Sequence, residues 1–145
     1  MAATSANNAQ FQQYGIPIAI PTYDVNGNGT SVANGATPFH LVSAGSANNT
    51  NIKSSNASLY GYSISNTTAS TTEFVKFFNK ATAPAAGTDT PVWSVQVPGA
   101  STVTAYFSVP ISCSAGLGLA TVTGAADNNS SAVSAGDLVI NVVYL

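Results

Sequence analysis

The sequence predicts an all-β protein, an antiparallel β-sandwich or barrel, and three observations carry that reading. Apolar residues recur at a spacing of two over short runs, the period of a half-buried strand. Turn chemistry punctuates the chain every ~8–12 residues. No stretch worth calling a helix shows the 3.6-residue period, a single turn within residues 131–135 excepted.

Taken in order, residues 1–14 lack periodicity and read as an extended N-terminal arm, followed by a single β-sandwich domain over residues 15–145. Residues 15–20 suit a first strand, which Pro17 and Pro21 confine to an edge. Asn26-Gly27, Asn28-Gly29 and Asn34-Gly35 make residues 24–35 a run of turns. A strand is expected over 37–43, then a Ser/Asn/Gly loop that ends near Asn51. Residues 58–65 alternate, with Tyr60, Tyr62 and Ile64 on one face. Residues 73–80 follow, with Val75 and Phe77 opposite Lys76 and Lys80.

A Pro/Ala/Gly loop over 82–91 leads to residues 92–97, where Trp93, Val95 and Val97 share a face. Pro98-Gly99 turns the chain into 102–109, which aligns Val103, Ala105 and Phe107. Short strands are expected at 111–114 and 117–123, and a loop at 124–135. The last strand, 137–144, places Leu138, Ile140, Val142 and Tyr144 on one side.

Composition narrows the function. The 145 residues are 45% hydrophobic, enough for a core, but only 6% charged: three Lys, no Arg and five acids. A globular domain ordinarily carries about 25% charged residues. Ser, Thr, Asn, Gly and Ala face water instead, a surface that another protein covers at little desolvation cost. A net charge of −2 without Arg argues against nucleic acid, whose phosphates are met by Lys and Arg, and against an anionic membrane surface. No apolar run approaches the ~18 residues of a membrane helix. The first ten residues carry no basic n-region or apolar h-region, so folding in a cytoplasm is expected and sequons such as Asn48-Asn49-Thr50 should stay bare.

Candidate chemical motifs are weak. Asp24, Asn26, Asn28 and Gly29 match the first half of a calcium loop, but Gly35 stands where the bidentate Glu belongs. His40 has no second His to share a zinc ion, and Cys113 is the single cysteine, with no nucleophile signature around it. Asp24, Glu73, Asp89, Asp127 and Asp137 could supply a carboxylate pair, yet four of them sit in or beside turns, where Asp bonds backbone. No catalytic residue, metal or cofactor is expected. The aromatics are plentiful, and either close one end of the core or line a subunit interface. Phe11, Tyr14, Phe74, Phe78, Tyr60 and Tyr62 are the candidate interface residues.

A resemblance covers about three-fifths of the chain. Tyr62-Ser-Ile-Ser-Asn66, Phe74-Val-Lys-Phe-Phe-Asn-Lys-Ala-Thr-Ala-Pro84 and Gly87-Thr-Asp-Thr-Pro-Val92 carry it, with Gly116-Leu-Gly-Leu119, Thr123-Gly-Ala-Ala-Asp127 and Ala135-Gly-Asp-Leu-Val-Ile-Asn-Val-Val-Tyr-Leu145. Together they resemble small structural proteins of tailed bacteriophages, the capsid decoration (cement) proteins. The resemblance implies a jelly-roll-like sandwich, a homotrimer, the major capsid protein as partner, a place on the virion surface and no catalytic residues. The alternative is a receptor-binding or fibre-tip module whose Asn/Ser/Thr/Tyr loops contact a host glycan.

Overall fold

The computed structural model describes residues 36–145. Among them are eight strands and no helix: β1 (Thr37–Val42), β2 (Thr50–Lys53), β3 (Ala57–Asn66), β4 (Glu73–Asn79), β5 (Trp93–Val97), β6 (Ser101–Cys113), β7 (Leu117–Val122) and β8 (Leu138–Tyr144). The expected arm at 1–14, the strand at 15–20 and the turns from Asp24 lie outside the described residues.

Each strand of the first half pairs antiparallel with its mirror in the second: β1 with β8, β2 with β7, β3 with β6, β4 with β5. The chain is thus one long hairpin rolled over itself. Further pairings, β3 with β8 and β4 with β7, knit it into two four-stranded sheets ordered β1-β8-β3-β6 and β2-β7-β4-β5. This is the eight-stranded jelly roll, a β-sandwich of two antiparallel sheets.

Alternation in sequence becomes alternation in burial. Tyr62 and Ile64 of β3 and Leu138, Ile140 and Val142 of β8 face Val75 and Phe77 of β4, Val95 and Val97 of β5, and Leu117 and Leu119 of β7. Tyr62 stacks on Phe77 at 5.9 Å between ring centroids, which joins the two sheets through aromatic contact.

Three expectations change. Thr50–Lys53 is a strand rather than loop: four polar-rich residues show no alternation, and pairing with β7 defines them. The expected strands at 102–109 and 111–114 are one strand, β6, because Pro110 sits in a bulge on a sheet edge, where its missing N–H leaves no gap in the ladder. At that bulge the register jumps from Leu59↔Ile111 to Gly61↔Tyr106, so Tyr60 alone faces Phe107, Ser108, Val109 and Pro110. The jump reverses the parity of β3, and Leu59, not Tyr60, joins Tyr62 and Ile64 in the core.

Candidate functional site

The β1-β8-β3-β6 sheet has an outer face that the core-facing residues leave free. With Phe39, Leu41, Tyr62, Ile64, Val103, Ala105, Ile140 and Val142 turned inward, their chain neighbours point outward. Register places those neighbours in three rows: Pro38, Val143, Gly61 and Tyr106; His40, Asn141, Ser63 and Thr104; Val42, Val139, Ser65 and Thr102. None of the residues in these four strands is Asp, Glu, Lys or Arg.

Three pairs of polar side chains on the face already bond one another. His40 Nδ1 lies 2.9 Å from Asn141 Oδ1, and Ser65 Oγ and Thr102 Oγ1 share a hydrogen bond of 2.8 Å. Thr104 Oγ1 donates to Ser63 Oγ at 3.2 Å. A partner covering this face would strand few donors or acceptors, so the desolvation cost is low. Gly61 lets Tyr106 lie flat across β3: a Cβ there would meet Tyr106 Cδ1 at 2.8 Å and the Ala105 carbonyl oxygen at 2.6 Å.

The charges of the described residues lie on the other sheet and in the loops. Lys76 is fully buried on the outer side of β4, where its Nζ donates to the Ala126 carbonyl in the β7–β8 loop at 2.5 Å. Burial pushes its pKa down, and nearby Asp127 partly offsets this. Lys80 pairs with Asp89 at 2.5 Å on the surface, and that bond, with one from the Ala85 N–H, pulls the Asp89 carboxyl below its usual range. The β4–β5 loop closes over β7 beside them: a Cβ on Gly118 would lie 2.9 Å from Pro84 Cδ.

The sequence candidates separate accordingly. Phe78 is 1% exposed, buried within its own chain, and Tyr62 belongs to the core. Phe74 and Tyr60 are half-buried, and Phe11 and Tyr14 lie outside the described residues. His40 and Cys113 occupy opposite edge strands of one sheet, and burial raises the Cys113 thiol. Among the described residues no group of three or more His, Cys, Asp and Glu is placed to hold a metal ion.

Two acids do meet. Glu73, at the start of β4, is 1% exposed, and its Oε2 has no N–H or O–H donor. Burial, then a hydrogen bond to Asp137 and that neighbour's charge, raise the Glu73 pKa to about 7. The pair is sealed from solvent on the Glu73 side, so it bears on stability rather than on any substrate. What sequence reasoning missed was the neutral face itself. Its signal was the alternation of Thr102, Thr104 and Tyr106 against Ser63 and Ser65, which becomes a surface only once the strands are paired. No family model, curated protein or solved structure matches the chain.

Proposed function

We propose that the protein is a capsid decoration protein: a homotrimer on the outside of a phage capsid, bridging neighbouring copies of the major capsid protein and stabilising the shell. The observation that carries this reading is the outer face of the β1-β8-β3-β6 sheet, which has no Asp, Glu, Lys or Arg and on which six polar side chains bond one another in three pairs. Such a face suits permanent cover by protein. The sequence resemblance and the jelly-roll topology point the same way. The mechanism is linkage: whatever binds the assembled shell and not its separated subunits stabilises the shell by mass action.

Quantitative mass spectrometry of purified particles tests it. Hundreds of copies per particle are expected. Tens or fewer would favour the receptor-binding or fibre-tip alternative, and absence from the particle would overturn both.

A further inference from the structure

A second surface borders the neutral face along its β6 edge. β5 and β6 are each the last strand of their sheet, and they lie on the same side of the sandwich, where Trp93 meets Phe107 edge-on at 5.6 Å. Along this open seam lie three of the five large hydrophobic residues that the described chain leaves exposed, Val92 at 45%, Trp93 at 42% and Val109 at 81%; a fourth, Tyr106 at 76%, lies beside them on the neutral face. The bulge of β6 is what turns Val109 out, because Phe107, Ser108, Val109 and Pro110 all stand against the single residue Tyr60.

We infer that this seam is where copies of the chain meet one another. The inference deepens the trimer proposed above and rests on that reading only in taking the protein to self-associate. Charge favours a second copy as the occupant. Residues 90–126, which include both edge strands, contain no Asp, Glu, Lys, Arg or His. Like meeting like therefore buries no charge, whereas a charged partner would lose hydration with no counter-ion to replace it. The strand edges also carry unpaired N–H and C=O groups, and another copy brings the same complement of both.

Trp93 is the chain's only tryptophan, so its fluorescence reports on the seam directly. The experiment is sedimentation of the full-length protein at micromolar concentration, with acrylamide quenching of Trp93 followed on dilution. Wild type is expected as a trimer with Trp93 protected, and quenching should rise as dilution dissociates it. Val109→Asp should lose the trimer and expose Trp93 at every concentration while keeping its melting transition, because Val109 packs little in the monomer. Val42→Asp, a charge placed on β1 at the opposite edge of the same sheet, should leave trimer and quenching unchanged. A strictly monomeric wild type would overturn the inference, and so would a trimer that survives Val109→Asp with Trp93 freely quenched. A trimer that protects Trp93, in a protein absent from particles, would support the seam and remove the decoration reading.

Discussion

Glu73 is the residue whose environment departs furthest from what its side chain favours. A carboxyl held at about 7 in the folded chain and near 4.5 as a free group binds its proton more tightly when folded. Between those values the unfolded state holds fewer protons than the folded one, so stability falls as pH rises through the window. Above about 7 both states are ionised and the loss is complete. At about 1.4 kcal/mol per pKa unit, the full loss is on the order of 3 kcal/mol. Glu73→Gln keeps the shape, removes the ionisation and can still donate to Asp137. Its thermal melts should stay flat from pH 4.5 to 7, where wild type declines, and should exceed wild type at pH 8. A wild-type melting temperature that rises across the same window would contradict this account of the pair.

At the level of strands, the pairing of β3 with β6 depends on a glycine. A methyl group on Gly61 would stand 2.6 Å from the Ala105 carbonyl oxygen, a backbone atom that cannot swing aside as a side-chain tip can. Gly61→Ala should therefore push the two strands apart at the bulge and cost about 1–3 kcal/mol, read as a lower urea midpoint with little change in slope. Ser63→Ala, two residues along the same face, should cost well under that. The glycine also shows what the sequence could and could not convey. Strict alternation made β4, β5 and β8 legible, because Val75 and Phe77, Val95 and Val97, or Leu138, Ile140 and Val142 each mark one face. β2 was not legible, since its four residues owe their strand conformation to a partner far along the chain. Tyr60 was misplaced for a related reason: a bulge shifts parity without leaving a local mark, and the run from Tyr60 to Ile64 alternates as well on paper as the true set does. The neutral face was legible only as a scarcity of charge. Its confinement to one sheet depends on β1 and β8 becoming neighbours from opposite ends of the described chain.

Across the whole molecule, the charged side chains of the described residues are confined to one sheet and to the loops. The four strands β1, β8, β3 and β6 have none, while Lys53, Glu73 and Lys76 lie in the other sheet and Lys80, Asp89, Asp127 and Asp137 in loops. Under the proposed function the neutral sheet faces the shell and the charged side remains in solvent. Docking then rests on apolar burial, at about 25 cal/mol per Å², and on neutral hydrogen bonds, neither of which depends on a Coulomb attraction. Surface ion pairs are screened over ~10 Å at 0.1 M salt, so a charge-driven clamp would weaken steadily as salt is added. Lys53, Lys76 and Lys80 are the only Lys or Arg side chains in the sequence. Lys76 is buried against Ala126 and Lys80 is paired with Asp89, which leaves little positive charge for such a clamp. The fraction of protein bound to shells should therefore change little between about 0.05 and 0.5 M salt at fixed pH, a range over which screening removes most of a surface Coulomb interaction. Introducing charge on the face should do what salt does not: Ser63→Lys should sharply reduce binding, whereas Thr82→Lys, in the β4–β5 loop, should not. A steep fall in wild-type binding with salt would show that the lysines carry the contact, and the neutral sheet would then have to face away from the shell.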